Sequence, residues 1–330
     1  MSESTIDPSP SAPPDIGSAA GASGAGASKA ALFRVRWNRS KYLFLLFLPA
    51  LIYYLMFKYV PMFGILISFK DYNPFQGVWD SPWVGLKHYT LFFESPDSMK
   101  LVKNTIVLGA YKILFGFPAP VILALLLNEV RIALVKRVVQ TISYLPHFIS
   151  NVVVVGMMAL FLSPTGGIVN QAIGWFGHDS INFMQNENYF RSLYILSEIW
   201  QHIGWETIIY LAALSAIDPL LYEAATVDGA SRWHQLRHVT LPGIVPAIVT
   251  LLILNVGHVL DIGFEKVLLM QNPSIYSTAD VLSTYVYRTG IQAMNYSYGT
   301  AIDLFASLVN LFFIFTANWI SRRVSGTSLW

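Results

Sequence analysis

The sequence contains a series of long apolar stretches, which few folds can accommodate. Crossing the roughly 30 Å hydrocarbon core of a bilayer takes about 20 helical residues, and six stretches of the sequence are long enough. Only 12% of the residues are charged, whereas soluble domains carry about 25%. The sequence therefore predicts an all-α, polytopic membrane protein with six transmembrane helices. The predicted spans cover residues 42–67, 104–127, 142–162, 193–216, 243–262 and 300–320.

The two ends of the chain differ in composition from the apolar part. Residues 9–28 are almost entirely Ser, Ala, Pro and Gly, and such a segment buries too little apolar area to offset its ordering entropy. No basic region precedes an apolar run there, so the segment does not resemble a signal peptide. We therefore expect a disordered cytoplasmic tail over residues 1–38, a six-span domain over residues 39–325 and a C-terminal tail over residues 326–330.

Basic residues determine the expected orientation in the membrane. They cluster over residues 34–41, before the first predicted span, and at Arg322 and Arg323, after the last. Such clusters remain on the cytoplasmic side under the positive-inside rule. Both termini are therefore predicted to be cytoplasmic, which also places the segment between the fourth and fifth spans on that side. The net charge of +2 is too small to indicate a nucleic-acid partner.

The cytoplasmic segment between the fourth and fifth spans has the local pattern of two short helices. Asp218 suits an N-cap and Pro219 suits the first helical position, while Gly229 can adopt the left-handed backbone that ends a helix. Ser231 is expected to cap a second short helix, and Pro242 is expected to close that helix before the fifth span. The segment is thus predicted to form a compact two-helix projection.

The residues of this segment also follow a recognisable pattern. Glu-Ala-Ala, three residues, Gly, nine residues, an aliphatic residue, one residue and Leu-Pro occur in this order. The pattern resembles the coupling-loop signature of binding-protein-dependent ABC transporter permeases, with Val239 at the aliphatic position. The resemblance implies that residues 217–242 are a coupling loop that docks on an ATPase. The expected ATPase-coupling residues are Glu223, Ala224, Ala225, Asp228, Gly229, Leu241 and Pro242.

The resemblance extends over about residues 39–323 and is strongest with carbohydrate-uptake permeases of the maltose-permease class. Within that class, the chain is similar to the branch that serves complex oligosaccharides and polysaccharide fragments. This implies a multi-pass subunit of the bacterial cytoplasmic membrane that translocates an oligosaccharide, with acidic polysaccharide fragments among the candidates. The similarity is clearest over residues 57–62, 69–75, 143–147, 263–266, 272–273 and 284–288.

The resemblance also implies a division of labour among several partners. In the family, a cytoplasmic ATPase dimer receives the coupling loop, a second homologous permease completes the pathway, and an extracytoplasmic solute-binding protein delivers the sugar. This sequence contains no Gly-x-x-x-x-Gly-Lys-Ser/Thr loop to hold ATP phosphates. We therefore expect no enzymatic activity and no bound cofactor in this chain, with ATP and Mg held by the ATPase subunits.

Polar side chains inside the predicted spans are candidates for the substrate pathway. Such residues are costly in lipid and usually face a bundle interior or a cavity, and aromatic rings beside them suit the flat apolar face of a sugar. Each polar residue is also explained by a hydrogen bond between helices, and this alternative stays open. The candidates are Asn151, Trp200, Gln201, Trp205, Glu206, Asn255 and His258.

Other functions fit the sequence less well. His234 and His238 are four residues apart but lack the glutamate of a His-Glu-x-x-His site, so we expect no metal site. A membrane-embedded enzyme would need paired carboxylates at a membrane face. A transporter driven by an ion gradient would show an internal repeat and charges at mid-membrane, and no clear repeat is visible. The nearest alternative is a permease of the same superfamily that moves a non-sugar solute.

Overall fold

The computed structural model describes residues 29–324, and this part of the chain divides into two units after Phe63. In the first unit, one helical run extends from Lys29 through a π turn to Met62. The tail predicted over residues 1–38 falls mainly outside the described residues, although the helix begins at Lys29, before the expected boundary. The predicted C-terminal tail lies wholly outside the described residues.

Helices account for nearly all of the regular structure, and the only β-type pairing among the described residues is an isolated bridge between Lys70 and Trp83. The α-helices are Lys29–Tyr54, Val60–Met62, Gly77–Asp80, Lys87–Glu94, Ser98–Tyr111, Pro118–Glu129, Ala133–Tyr144, Asn151–Phe161, Ile168–Trp175, Glu187–Ser215, Pro219–Val227, Arg232–Gln235, Leu241–Gly257, Phe264–Met270, Tyr276–Ala279, Leu282–Val286 and Tyr296–Val324. The 3-10 helices are Phe63–Phe69, Leu145–Phe148, Phe183–Gln185 and Pro273–Ile275. The π turns are Leu55–Tyr59, Lys112–Gly116, Leu236–Thr240 and Tyr287–Gln292.

Four continuous helices are long and apolar enough to cross a membrane, and two bent helix pairs bring the number to six if each pair is one span. The four overlap the predicted first, second, fifth and sixth spans, which confirms these spans as helices. The third span corresponds to the bent pair Ala133–Phe148 and Asn151–Phe161, which meet at 101°. The fourth span corresponds to Glu187–Ser215, which meets the short helix Pro219–Val227 at 67°. The four helices are Lys41–Phe69, Ser98–Glu129, Arg232–Gly257 and Tyr296–Arg323.

The third span is not the continuous helix that the apolar stretch over residues 142–162 predicts. Its first part ends in a 3-10 turn that contains Pro146, and the chain then becomes extended at Ile149 and Ser150. Ser150 caps the second part, because its hydroxyl accepts a hydrogen bond from the backbone N–H of Val153 at 3.4 Å. Proline lacks the backbone donor that would carry the helix onward, so hydropathy alone could not show this break.

Three of the prolines inside long helical runs lie two positions after the end of a π turn. The residues before Pro61, Pro118 and Pro242 each donate a backbone hydrogen bond to a carbonyl five positions back, where an α-helix would use the fourth. A proline in an α-helix loses one hydrogen bond and its ring meets the carbonyl of the preceding turn. The widened π turn accommodates the ring without ending the helix.

The chain between Gly257 and Tyr296 folds back into the helical core instead of forming an exposed loop. It contributes Val267 and Val281, both completely buried, to the main apolar cluster. There they pack with residues from three spans, since the same cluster contains Leu108, Val155, Phe190 and Tyr194. This returning segment is therefore the element around which the second, third and fourth spans are packed.

The fourth span approaches the first half of the third span so closely that only glycine fits at the contact. A Cβ atom built on Gly204 would lie 2.1 Å from the carbonyl oxygen of Ser143 and 2.3 Å from its carbon. Both atoms belong to backbone, which cannot rotate away as a side chain can. Small residues at such crossings allow helices to pack through backbone contacts in membranes.

We expect Gly204→Ala to destabilise the protein, because the added methyl group must push the two helices apart. Overpacking of this kind costs about 1–3 kcal/mol, which outweighs the gain of about 0.5–1 kcal/mol that alanine brings inside a helix. Gly156→Ala is the matched control, since nothing lies within 4 Å of a Cβ atom at Gly156. Thermal unfolding in detergent should show a lowered midpoint for Gly204→Ala alone, and equal midpoints would contradict the assigned contact.

Candidate coupling surface and polar cleft

The coupling helix, Pro219–Val227, begins and ends as its sequence predicts. The Asp218 carboxylate accepts a hydrogen bond from the backbone N–H of Leu220 at 2.9 Å, so Asp218 is the N-cap. Gly229 has a φ of +75°, which glycine adopts without the steric cost that other residues bear. Both local predictions are confirmed, because each depends only on residues adjacent in the chain.

One face of the coupling helix is exposed, and the opposite face is held by hydrogen bonds. Glu223 and Ala224 are exposed, and no partner of the Glu223 carboxylate is found among the described residues. On the other face, the Tyr222 hydroxyl lies 3.0 Å from the Thr240 hydroxyl. The Thr226 hydroxyl, also directed to this side, accepts a hydrogen bond from the side-chain amide of Gln235. The exposed face thus offers a small residue beside an unpaired carboxylate, a surface that another protein can approach closely.

The prediction that Pro242 closes a separate second helix is wrong. Ser231 does cap that helix, since its hydroxyl accepts from the His234 backbone N–H, but the helix continues as a 26-residue run from Arg232 to Gly257. The π turn before Pro242 allows this continuity, as at the other prolines. Leu241 therefore lies, together with Pro242, in the helix of the fifth span.

An ion pair connects the start of the fifth-span helix to the end of the second span. The Arg232 guanidinium lies 3.1 Å from a carboxylate oxygen of Glu129. Both side chains are half exposed, so the pair contributes little to stability. It joins two segments that are 103 positions apart in the chain.

A second polar region, at the level of the fourth span, centres on a buried ion pair. The Lys266 ammonium, only 1% exposed, lies 2.8 Å from one oxygen of Glu198 and donates to Gln201 Oε1 at 3.0 Å. The amide of Gln201 in turn donates to the Ile149 carbonyl at 2.8 Å. Burial lowers the pKa of Lys266, and the Glu198 carboxylate opposes that shift. The network attaches the returning segment and the third-span bend to the fourth span.

Two histidines and a tryptophan extend this network to an exposed surface. Nδ1 of His147, in the bend of the third span, lies 3.0 Å from Nδ1 of His202. The His147 ring also stacks on Trp205, with the ring centres 4.5 Å apart and the planes nearly parallel. Trp205 remains 45% exposed, so one of its faces is available to a ligand.

Glu206 and Asn255 line two adjoining spaces beside these rings. One is a narrow cavity of about 20 Å³ that Lys112 and His202 also line. The other is a wider groove of about 410 Å³ with Trp205 in its wall. Together they form what we call the polar cleft. Its polar and aromatic lining side chains are Lys112, Phe117, Glu198, His202, Trp205, Glu206, Tyr210 and Asn255.

The structure thus brings together only some of the pathway candidates from the sequence. Trp205, Glu206 and Asn255 share the polar cleft, and Gln201 lies behind it, 3% exposed and hydrogen-bonded on both sides. The other candidates lie apart from this cleft.

The remaining candidates have separate surroundings. Trp200 lines an apolar groove with Val154 and Met157. Asn151 donates to a carboxylate oxygen of Glu265 at 2.7 Å. His258 lies 2.8 Å from an Asp261 carboxylate oxygen. Among residues 29–324, no group of three His, Cys, Asp or Glu side chains is placed to hold a metal ion.

Sequence reasoning missed Lys112, Glu198 and Lys266, which carry most of the charge in this region. Lys112 and Glu198 lie within long helices that also form spans, where an ionisable residue is by default a candidate for function. That criterion could have found these two. Lys266 could not have been found in this way, because it lies in the returning segment, whose burial depends on tertiary packing.

Comparison with known proteins agrees with this architecture. Residues 116–326 match the family described as "Binding-protein-dependent transport system inner membrane component". The polygalacturonan/rhamnogalacturonan transport system permease protein YteP of Bacillus subtilis (strain 168) is 50% identical over 289 residues, 88% of this chain and 90% of that protein. Protein LplB of the same organism is 46% identical over 286 residues, 87% of this chain and 90% of that protein.

A solved structure of a transporter is also similar to this chain. It is a bacterial alginate ABC transporter in complex with an alginate pentasaccharide-bound periplasmic protein, and one of its chains is 42% identical to this one. The two superpose with a TM-score of 0.83 over 89% of this chain and 98% of the other. This chain belongs to the family of binding-protein-dependent transport system inner membrane components. As such, it is the permease component of its transport system and not the ATPase.

We expect Lys266→Met to destabilise the protein by about 3–5 kcal/mol, because it removes the close partner of a buried carboxylate. The double variant Lys266→Met/Glu198→Gln should recover part of the loss, since no charge is then left without its partner. Lys103→Met, at an exposed lysine of the second span, is the control. Thermal unfolding in detergent measures all three, and a Lys266→Met midpoint equal to that of the control would contradict a structural role for the pair.

Proposed function

We propose that this permease subunit serves an ATP-driven importer for oligosaccharides derived from acidic polysaccharides. The support comes from two directions. YteP, half identical to this chain, is named for polygalacturonan and rhamnogalacturonan transport, and the similar solved structure imports alginate. Polygalacturonan and alginate are both polymers of carboxylated sugars, so the shared substrate chemistry is acidic. The relatives cover nearly the whole of this chain, which supports the same role for it.

The coupling helix is the observation that carries the ATP-driven mechanism. Its exposed face, with Glu223 and Ala224, suits insertion into a cleft of a partner, and Gly229 ends the helix so that the chain can turn back at once. The chain carries no phosphate-binding loop of its own. The partner is therefore an ATPase dimer that holds ATP and Mg, and its movement is transmitted through the residues from Glu223 to Pro242.

The membrane topology and the other two partners are part of the same proposal. The chain crosses the bacterial cytoplasmic membrane six times with both termini in the cytoplasm, in agreement with Arg322 and Arg323 at the end of the last helix. A second, homologous permease completes the pathway, and a solute-binding protein delivers the oligosaccharide from outside. The chain itself binds no cofactor and performs no chemical step.

The polar cleft is the part of the pathway that this subunit contributes. Trp205 offers an exposed ring face on which a sugar can stack, and Glu206 and Asn255 offer acceptors and donors for sugar hydroxyls. No partner of the Glu206 carboxylate is found among the described residues, so it is available to a ligand. Asn255 uses its amide N–H to the Leu251 carbonyl, which leaves its oxygen free to accept.

The ATP-driven role predicts a specific defect for Glu223→Lys. We expect this variant, in proteoliposomes that contain the whole transporter, to import a galacturonate trisaccharide about tenfold or more slowly, because a reversed charge at a docking surface costs binding energy. Less ATPase should also copurify with the tagged chain. Asp179→Lys is the control, since it makes the same charge change at an exposed residue of another segment. Full uptake and full copurification with Glu223→Lys would contradict the coupling assignment.

The pathway role predicts that the two exposed tryptophans of the fourth span differ. We expect Trp205→Ala to lower uptake of the trisaccharide by up to about tenfold, because it removes the ring face in the polar cleft. Trp200→Ala should have a much smaller effect, since Trp200 lines a mostly apolar groove, to which Ser197 contributes a polar side chain. Equal losses in both variants would show that general packing of the span, and not the cleft, accounts for the effect.

A further inference from the structure

Lys112 stands out among the charged residues inside the spans. It begins the π turn Lys112–Gly116 in the second span, and its side chain is 37% exposed at the wall of the polar cleft. A lysine within a span is costly in lipid, and such residues usually pair with another group or mark a substrate pathway.

Within the part of the chain that the structure describes, the Lys112 ammonium makes only one long ion pair. Its nearest acid is Glu198, with 4.0 Å between Nζ and Oε1, which is beyond hydrogen-bond distance. The other oxygen of Glu198 is bound by Lys266 at 2.8 Å, and Lys266 is further satisfied by Gln201. No hydrogen bond of the Lys112 side chain is found among the side chains that the structure describes, residues 41–323. Lys266 is thus a structural cation, whereas Lys112 retains its capacity to bind.

The groups around Lys112 match those that a carboxylated sugar requires. The adjoining groove provides the exposed ring of Trp205 for the apolar face of the sugar. Glu206 and Asn255, which line both spaces, can bind hydroxyl groups. A carboxylate would find its counter-charge in Lys112, in surroundings partly shielded from water where such a pair is stronger than in bulk solvent.

We propose that the polar cleft is a subsite for one carboxylated sugar unit and that Lys112 is its specificity-determining residue. The inference rests on the proposed function, since it assumes that oligosaccharides pass this subunit. The substrate carboxylate binds the Lys112 ammonium, while the Lys266–Glu198 pair stays intact behind it. A neutral sugar can contact the same ring and the same hydroxyl-binding groups, but it provides no carboxylate for the Lys112 ammonium. Discrimination between carboxylated and neutral sugars therefore depends on the charge at position 112.

The test compares uptake of two probes by the complete transporter, with its partner permease, ATPase and solute-binding protein, in proteoliposomes. The probes are a galacturonate trisaccharide and its fully methyl-esterified form, which has no carboxylate charge. The same solute-binding protein serves every variant, so its own preference cancels when the acid-to-ester ratio of a variant is divided by that of the wild type. We expect Lys112→Gln to lower this ratio about tenfold or more, as loss of one charged hydrogen bond does.

Two further variants separate recognition from folding. Lys112→Arg keeps the positive charge and should retain the preference for the acid. Lys103→Gln removes a lysine from an exposed position of the same span, outside the polar cleft, and should leave the ratio unchanged. The amount of assembled transporter is measured for each variant, and the ratio does not depend on that amount.

The outcomes distinguish this inference from the proposed function. A lowered ratio in Lys112→Gln alone supports the subsite. A wild-type protein that prefers the acid, with the same preference in Lys112→Gln, overturns the role of Lys112 and leaves the proposed function standing. A proportional loss of both probes in Lys112→Gln also overturns it, because Lys112 would then serve packing alone. A wild-type transporter that imports neither probe overturns the proposed function and the subsite together.

Discussion

The buried ion pair between Lys266 and Glu198 is the interaction on which the arrangement of the polar cleft depends. It attaches the segment between the fifth and sixth spans to the middle of the fourth span, and Gln201 extends the attachment to the bend of the third span. Charged groups in an apolar interior are tolerated only when they are paired and hydrogen-bonded. Few other positions of the two side chains would keep both charges paired, so the helices that carry them are held in one arrangement.

The same helices that carry the polar cleft also lead to the coupling surface. The fourth span is one helix from Glu187 to Ser215, and the coupling helix follows it directly. Glu206 lies nine positions before the end of that span, which is about 14 Å along an α-helix. The fifth span runs on the other side of the coupling loop as far as Asn255 and beyond. The segment between these two spans therefore lies between two helices that each contribute a side chain to the cleft, Glu206 and Asn255.

The success of the sequence-based predictions varied with the range of the interactions involved. The caps at Asp218 and Ser231 were found correctly, because a cap depends on a few neighbouring residues. The course of the chain at Pro146 and Pro242 was predicted wrongly. A helix can end at a proline, or it can continue past the proline after a π turn, and the surrounding structure decides which of the two occurs. In the same way, the sequence could not show that Gln201 is hydrogen-bonded to Ile149 and Lys266, which are distant in the chain.

The amino-acid sequence was enough to indicate a helical membrane protein and to predict a coupling loop. Both properties reside in local patterns, namely the length of apolar runs and the spacing of Glu223, Gly229 and Pro242. Which polar residues meet became visible in the folded chain alone. There Lys266 is paired with Glu198 across 68 positions, and Lys112 has one ion pair at 4.0 Å. The reason is physical, since the stability and the availability of a charge inside a membrane depend on what surrounds it in space.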